Sequence, residues 1–285
     1  MDAGYRLTVH NRTREKAAAF AERHGVERVY DSFEDLYADP EVDAVYITTP
    51  HNTHIRYLRG ALVAGKHVLC EKSITLNSAE LDEARALAEK NGVVLMDATT
   101  ILHMPLYVEL LRRARAGEFG RMNLAQLNFG SYKEYGDLTN RFYNIDLAGG
   151  AMLDIGVYAL SLMRLFMESQ PSEVVSLGNL ASTGVDEAGG IVCRNAEGQL
   201  GVVSLTLHSK QPKRAVLSFD RCYVEVEEYP RADAATIVWT EDGRREAVAC
   251  GEEAEKRALL GYAADVMELM TRLRADWGVV YPEER

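Results

Sequence analysis

The chain has 285 residues, of which 47% are hydrophobic and 26% are charged, and its formal net charge is −11. This length predicts about two domains, and the composition is ordinary for a globular protein with real cores. The acidic balance argues against a nucleic-acid partner, because phosphate binding needs a basic surface. No apolar run approaches the ~20 residues of a membrane span, and the start, "MDAGYRLTVHNRT", lacks the features of a signal peptide. We therefore expect no membrane association and a cytoplasmic location.

The four cysteines, Cys70, Cys193, Cys222 and Cys250, are scattered without CxxC spacing. They are interpreted as reduced thiols rather than as a disulfide framework or a zinc site. The seven histidines form no HExxH motif, so no metal site is expected.

The first hundred residues alternate between strand and helix patterns. In chain order, "YRLTVH" predicts a strand, "TREKAAAFAERHG" a helix that stops at Gly25, "RVY" a strand, "SFEDLYAD" a short helix and "DAVYITTP" a strand. "THIRYLRGALVAG" predicts a helix, "HVLC" a buried strand, "NSAELDEARALAEKNG" a helix with Asn77 or Ser78 as N-cap and Gly92 as C-cap, and "VVLMDA" a strand. Such alternation is typical of a parallel sheet with right-handed crossovers, so residues 1–98 are predicted to form a Rossmann-type domain.

After residue 98 the pattern changes without a linker. "HMPLYVELLRRARAGEFG" predicts a helix, and long, partly alternating strand patterns follow, two of them hairpins turned at Glu197-Gly198 and Asp242-Gly243. Helices at 154–168 and about 252–277 are expected to pack against these strands. Residues 99–285 are therefore predicted to be an α+β domain with a large, mostly antiparallel, open sheet.

A parallel sheet that binds a dinucleotide normally opens with a strand, a GxGxxG turn and a helix, and this sequence contains no such turn. Yet "YRLTVHNRT" has the character of the second strand of such a unit, which ends beside the adenosine ribose. The strand ends in Asn11 and Arg12 rather than in an acidic residue, which favours NADP over NAD. The alternative is that Arg12 is a solvated residue at a helix start.

Four segments together resemble the glucose–fructose oxidoreductase/inositol dehydrogenase (Gfo/Idh/MocA) family: "NRTREKAAAFAERHG", "DPEVDAVYITTPHNTH", "GKHVLCEKSITLNSAE" and "AGGAMLDIGVY". The order of these segments implies that about 25–30 residues, holding the first strand and the glycine loop, lie upstream of Met1 in family members. The resemblance also implies an NAD(P)-dependent oxidoreductase that forms a homo-oligomer, a dimer or a tetramer, through the open sheet. A small-molecule sugar, polyol or diol is the implied substrate.

The resemblance assigns cofactor contacts to the ends of two buried strands. Thr49, Pro50 and Asn52 match the turn that contacts the cofactor in the family, and Glu71 and Lys72 match a Glu-Lys-Pro motif. Serine replaces the proline of that motif, which restores a backbone N–H and leaves the local geometry less constrained. His54 is interpreted as a packing residue at a helix start rather than as a catalyst.

The segment "GGAMLDIGVY" is predicted to open a helix that faces the nicotinamide. Asp154 and Tyr158 are four residues apart and so share a helix face, and Gly149 and Gly150 allow close approach of the backbone to cofactor and substrate. By resemblance to the tyrosine-bearing subgroup, which includes the dihydrodiol dehydrogenase-like enzymes, Tyr158 is the proton donor and acceptor. Lys72 is its electrostatic partner, and Asp154 orients the lysine or a substrate hydroxyl.

Three points stay open at this stage. Tyr158 has the alternative of packing in a core, with Asp154 complementing a helix dipole. The segment "SYKEYGDLTNRFYN", residues 131–144, is either a substrate-pocket lining or a surface loop whose aromatic residues pack locally. Because the glycine-rich loop is absent, the alternative to an oxidoreductase is a catalytically impaired remnant that acts as a binding or scaffold protein.

Overall fold

The computed structural model describes residues 6–249 and 259–284. The N-terminal part alternates strands with helices, as predicted. Its strands are β1 (Thr8–Val9), β2 (Arg28–Val29), β3 (Ala44–Ile47), β4 (His67–Cys70) and β5 (Leu95–Asp97), and its helices are α1 (Arg14–His24), α2 (Phe33–Ala38), α3 (His54–Val63) and α4 (Ser78–Asn91).

All pairings between these strands are parallel. β1 pairs with β2, and β3, β4 and β5 form a second sheet in that order. No strand in the described part of the chain joins the two sheets. The α/β class with a Rossmann-type N-terminal sheet is confirmed, and the carboxyl ends of β3 and β4 meet at one edge.

Local sequence signals set the helix ends. Asn77 is the N-cap of α4, and its side chain accepts a hydrogen bond from the Glu80 N–H at 2.9 Å. Gly25 and Gly92 follow α1 and α4 with φ of +66° each, a left-handed conformation that glycine adopts without a steric penalty.

An eight-stranded sheet dominates the C-terminal part. After α5 (Pro105–Arg115), its strand order is β13-β12-β11-β10-β6-β9-β8-β7, and only the β6–β9 pairing is parallel. The strands are β6 (Met122–Gly130), β7 (Glu173–Leu180), β8 (Asp186–Arg194), β9 (Leu200–Thr206), β10 (Arg214–Phe219), β11 (Cys222–Glu227), β12 (Ala234–Trp239) and β13 (Arg245–Ala249). The large, mostly antiparallel sheet is therefore confirmed.

The two predicted hairpins are present, as β8–β9 and β12–β13. A third, β10–β11, was not predicted within "AVLSFDRCYVEVEEYP". Its turn lacks glycine, and the Asp220 carboxylate instead accepts a hydrogen bond from the Arg121 N–H at 2.8 Å. The turn is held by a partner 99 residues away in the chain, which a local sequence pattern does not reveal.

Two long helices cover the inner face of this sheet. The predicted helix at 154–168 is α6 (Val157–Phe166), preceded by a π-helical turn over Met152–Gly156. The stretch Ile145–Phe166 is long and apolar enough to cross a membrane, with a mean hydropathy of 1.4, but 78% of it is buried inside the protein. It is therefore a core element, although the composition had indicated no run of that length.

The last helix, α7 (Leu259–Trp277), packs against both parts of the chain. The first residues of its predicted span, 252–258, lie outside the described residues. Arg274 is buried and donates hydrogen bonds to the Leu76 carbonyl before α4 and, at 3.0 Å, to Glu284. The Tyr281 hydroxyl donates to the Gly149 carbonyl at 2.7 Å. The C-terminal segment therefore connects the N-terminal sheet to the backbone that precedes α6.

Candidate active site

A cavity of 340 Å³ lies between the two parts of the chain. Residues 48–51 and 71–72, which follow β3 and β4, form one side of it. Residues 141–142, 147–149 and Asp154 form the other side. The carboxyl edge of a parallel sheet is where open α/β folds bind ligands, so this cavity is the candidate active site.

Lys72 and Asp154 form an ion pair across the cavity. The Lys72 ammonium donates to the Asp154 carbonyl oxygen at 2.7 Å and to its Oδ1 at 3.0 Å. Burial of the carboxyl acts to raise its pKa, but the adjacent ammonium outweighs burial and holds the pKa of Asp154 below its ordinary value. Asp154 is therefore ionised at neutral pH, and it fixes the position of the lysine.

Tyr158 lies beside the same ammonium. The Lys72 Nζ is 5.2 Å from the centroid of the Tyr158 ring, and only 8% of this tyrosine is exposed. Asp154 and Tyr158 lie on one side of the helix, since both are close to the same lysine. Tyr158 borders the cavity at the lysine rather than lining it directly. The structure thus brings together the three predicted catalytic residues.

The two glycines before this helix are packed against protein atoms. A Cβ at Gly149 would lie 2.7 Å from the carbonyl oxygens of Arg141 and Phe142. Gly150 has φ of +120°, and a Cβ there would lie 2.3 Å from Asp186 Oδ1. Close packing within the chain thus requires both glycines, whereas a role in the approach of cofactor and substrate stays a prediction.

Asp186 is a buried acid that sequence reasoning missed. Its Oδ2 accepts a hydrogen bond from the Met152 N–H at 2.6 Å, at the start of the π-helical turn. Its Oδ1 has no hydrogen-bond partner, and burial raises the pKa of the carboxyl to about 7. Asp186 therefore caps the helix that carries Asp154 and Tyr158. The local sequence "TGVDEAG" does not indicate this role, because the pairing of β8 with β7 brings Asp186 to the helix.

Two histidines hold the turns that carry the predicted cofactor contacts. His54 is buried, and its ring nitrogens lie 2.9 Å from the Ser73 carbonyl and 2.7 Å from the Thr49 carbonyl. It packs at a helix start, as the sequence indicated. His51 lies 3.1 Å from the Lys72 carbonyl and 3.2 Å from the Ala148 carbonyl, and burial, with the Lys72 charge, lowers its pKa to about 4. His51 is therefore neutral at pH 7 and has one N–H, so it donates a hydrogen bond to one of these carbonyls while its ring contacts both sides of the cavity.

The Glu-Lys-Ser segment is fixed by side-chain contacts. Glu71 lines the cavity and accepts a hydrogen bond from the Tyr46 hydroxyl on the adjacent strand. The peptide bond between Lys72 and Ser73 is cis. Ser73 is buried, and its hydroxyl donates to the Leu153 carbonyl at 2.9 Å. This hydrogen bond anchors a position where the sequence had indicated looser geometry.

The remaining predicted cofactor residues differ in their surroundings. Thr49 and Pro50 line the cavity. Asn52 does not line it, because its amide donates to the Asp146 carbonyl at 2.9 Å and to Glu283 at 2.7 Å. Its cofactor contact stays a prediction.

Asn11 and Arg12 follow β1, which belongs to the separate two-stranded sheet, and both are exposed. The Asn11 side chain accepts a hydrogen bond from the Thr13 N–H at 2.8 Å. Their contact with an adenosine ribose stays a prediction, and so does the alternative for Arg12.

The segment 131–144 has residues that line the cavity and aromatic residues that pack locally, and its contact with a substrate stays a prediction. Arg141 and Phe142 line the cavity. Tyr135 stacks on His208 with ring centroids 4.4 Å apart, and the buried Tyr143 donates to the Leu207 carbonyl at 3.2 Å. Arg141 and Phe142 therefore face the cavity, while Tyr135 and Tyr143 pack locally.

Two family models match this chain. The NAD-binding Rossmann-fold model of the GFO/IDH/MocA oxidoreductase family matches residues 7–99, and the GFO/IDH/MocA C-terminal domain model matches residues 107–227. The chain belongs to the Gfo/Idh/MocA oxidoreductase family, which confirms the resemblance.

Individual relatives agree with this assignment. Trans-1,2-dihydrobenzene-1,2-diol dehydrogenase of Xenopus tropicalis is 31% identical over 77% of this chain and 66% of its own length. The enzyme of the same name from Xenopus laevis is 30% identical over 81% and 70%. The D-xylose 1-dehydrogenase (NADP(+)) of Hypocrea jecorina is 35% identical over 64% of this chain and 50% of its own length. The match thus spans from half to somewhat over two thirds of these relatives.

Solved structures share the fold. KijD10, a 3-ketoreductase from Actinomadura kijaniata in complex with NADP and TDP-benzene, has a TM-score of 0.80 at 21% identity, over 94% of this chain and 88% of that chain. A levoglucosan dehydrogenase in complex with NADH and levoglucosan has a TM-score of 0.78 at 20% identity, over 97% and 82%.

Proposed function

We propose that this protein is an NADP-dependent oxidoreductase that interconverts a secondary alcohol and a carbonyl on a sugar, polyol or cyclic diol. The observation that carries the proposal is the position of Lys72, which comes from the N-terminal part and contacts both Asp154 and Tyr158 of the C-terminal part. The printed names of the relatives, diol and D-xylose dehydrogenases, support the substrate class and the cofactor.

Each of the three residues has a separate role in this proposal. The nicotinamide would supply or accept the hydride, so the protein has to handle the proton at the substrate oxygen. Tyr158 exchanges that proton, and the Lys72 ammonium lies 5.2 Å from the centroid of its ring. Asp154 holds the lysine in place through a charged hydrogen bond.

The donor set at the strand ends fits the nicotinamide end of a dinucleotide. Thr49, Pro50, Glu71 and Lys72 line one wall of the cavity and supply hydroxyl, carboxylate and ammonium groups. In this proposal Asn52 adjoins them, and Asn11 and Arg12 lie near the adenosine ribose. A basic residue at the end of β1 favours the 2′-phosphate of NADP, with NAD as the alternative cofactor.

Replacement of Tyr158 by phenylalanine tests the assignment. We expect turnover with NADPH to fall about 100- to 10,000-fold, the usual contribution of a positioned acid or base. Fluorescence titration should show little change in NADPH affinity, because the phenol does not line the cofactor wall. Unchanged turnover would remove Tyr158 from the reaction.

A binding or scaffold protein is the second candidate function. The observation that favours it is the absence of a GxGxxG turn in the sequence, since such a turn supplies backbone N–H groups to the pyrophosphate. If NADPH fails to bind at millimolar concentration while sugars or diols bind in the cavity, this candidate replaces the oxidoreductase.

We infer that the outer face of the large sheet forms a homo-oligomer contact, in a dimer or a tetramer. Val175, Val192 and Val202 are aligned across β7, β8 and β9 on this face. Val175 is 75% exposed and the nearby Leu177 is 83% exposed, which is unusual for an apolar stripe of a monomer. Analytical ultracentrifugation of the Leu177→Lys variant should show a smaller species than the unmodified protein.

We also infer two domains, residues 1–98 and 99–285, and a cytoplasmic location. The change from a parallel to a mostly antiparallel sheet supports the division. The cysteines of the described chain, Cys70, Cys193 and Cys222, are free and buried, as expected for a reducing compartment.

A further inference from the structure

Five cations surround the candidate active site although the chain as a whole is acidic. We call them the basic rim: Lys72, Lys133, Arg141, Lys213 and Arg231. Lys72 follows β4, while Lys133 and Arg141 come from the segment before α6, and Lys213 and Arg231 from the region between β9 and β12. Because the chain as a whole has a net charge of −11, this concentration of positive charge is a feature of the cleft and not of the overall composition.

Aromatic rings show that the rim converges on the reacting residues. Lys72 lies 5.2 Å and Arg231 5.7 Å from the centroid of the Tyr158 ring. The Phe129 ring is 6.0 Å from that of Tyr158, and Lys213 is 5.4 Å from the Phe129 centroid. The Tyr158 phenol, the Phe129 ring and these three cations thus form one surface.

The other two members of the rim share a second ring at the cavity wall. Lys133 lies 4.1 Å and Arg141 4.5 Å from the centroid of Phe142, which lines the cavity together with Arg141. Half-burial of Lys133 lowers its pKa, and the nearby charges of Arg141, Lys72 and Lys213 lower it further, against the opposing effect of Asp154. The ammonium of Lys133 therefore experiences the positive potential of three other cations.

Three carboxylates, those of Glu71 on the cavity wall, Asp154 and Glu228, lie near these five cations. Asp154 pairs with Lys72 and lies 3.6 Å from Arg141, and Glu228 pairs with Lys213 at 2.9 Å. Within the described ranges, Lys133 forms no ion pair. Like charges at this spacing repel one another, so the arrangement is unfavourable until an anion binds among them.

We propose that the substrate of this protein carries an anionic group, a carboxylate or a phosphate ester, which Lys133, Arg141 and Lys213 bind while its reacting carbon lies beside Tyr158. This inference rests on the proposed function and narrows its substrate class. The binding residues belong to the C-terminal side of the cleft, opposite the strand ends assigned to the cofactor. The anion is therefore placed on the substrate rather than on the dinucleotide.

Three matched ligands test the proposal: D-glucose, D-glucuronate and D-glucose 6-phosphate. Calorimetric titration of the full chain should give about tenfold or tighter binding for at least one anionic ligand than for glucose, since a charge-assisted hydrogen bond is roughly twice as strong as a neutral one. Tighter binding of glucuronate would identify a carboxylate, and tighter binding of the phosphate ester a phosphate.

A matched pair of lysine variants locates the effect. Lys133→Met should reduce the preference for the anion at least about fivefold, whereas the exposed Lys90→Met at the end of α4 should leave it unchanged. Binding is measured without turnover, which separates this proposal from the proposed function. A preference for the anion without reduction of NADP+ by any of the three ligands supports the rim and contradicts the oxidoreductase, while reduction of NADP+ by glucose without any preference for the anion does the reverse. Equal binding of all three ligands, or a preference that Lys133→Met does not alter, overturns the proposal.

Discussion

The ammonium of Lys72 binds Asp154 twice, at its carbonyl oxygen and at its carboxylate, although 82 residues separate them in the chain. The pair joins a turn after a parallel strand to the first turn of a buried helix. Their side chains are only 13% and 10% exposed, so neither charge is well solvated on its own. The contact is therefore one of several that fix how the two halves of the cleft face each other.

Removal of one member of this pair should destabilise the fold. Lys72→Met leaves the Asp154 carboxylate without its main partner, and we expect the free energy of unfolding to fall by about 3 kcal/mol. The double variant Lys72→Met/Asp154→Leu should recover most of the loss, because it leaves no buried charge. Urea unfolding measures both. As a control, removal of the exposed Arg194–Glu173 pair should change stability by at most about 1 kcal/mol. A double variant as unstable as the single one would contradict this account.

Asp186 should make stability depend on pH. Its carboxyl has a pKa of about 7 in the fold against an ordinary value of 3.8, because burial outweighs the hydrogen bond from Met152. Between these values the folded state holds a proton that the unfolded state has lost. The contribution of Asp186 therefore favours the fold below about pH 4 and declines, by on the order of 4 kcal/mol, as the pH rises to about 7.

Asp186→Asn should remove this slope, which unfolding curves at several pH values from 4 to 7.5 would measure. His51 changes the free energy of unfolding in the opposite direction. Because its pKa is lowered in the fold, the unfolded state gains a proton first as the pH falls below 6.5, and stability declines. Only the difference between variant and unmodified protein isolates Asp186. An identical pH dependence in both would show that its carboxyl is not protonated in the fold.

Two adjacent glycines in β8 should respond differently to alanine. A Cβ at Gly189 would lie 2.4 Å from the ring of Trp277, whose Nε1 donates to Ser176 at 3.0 Å, whereas a Cβ at Gly190 would meet no atom within 4 Å. Gly189→Ala should lower stability by about 1–3 kcal/mol through overpacking. Gly190→Ala should be neutral or stabilising by up to about 1 kcal/mol, as expected for glycine replacement in a strand. Thermal unfolding that ranked the two variants in the reverse order would place Trp277 elsewhere.

Local patterns predicted the positions of the three proposed catalytic residues, whereas the family resemblance supplied their roles. Lys72 follows a short buried strand, and strand ends meet at one edge of a parallel sheet. Asp154 and Tyr158 are four residues apart, so a helix brings both to one face. Each deduction needs only one element and its period, and the family resemblance then supplied the pairing between them.

The rest of the site depends on long-range packing. Lys213 and Arg231 reach the cleft only because β10, β11 and β12 pair in register, and Asp186 reaches the helix only at the start of β8. No spacing in the sequence encodes these approaches. The need for glycine at position 150 likewise comes from Asp186, 36 residues later in the chain, rather than from a ligand.

The most direct test of the account is a double-mutant cycle on turnover with NADPH, using Lys72→Met, Tyr158→Phe and the two combined. When two residues act as one unit, replacing the first already removes most of what the second contributes. We therefore expect the double variant to be about as slow as the slower single variant. Losses that multiply in the double variant would show that the ammonium and the phenol act independently, and that they do not share one reaction centre.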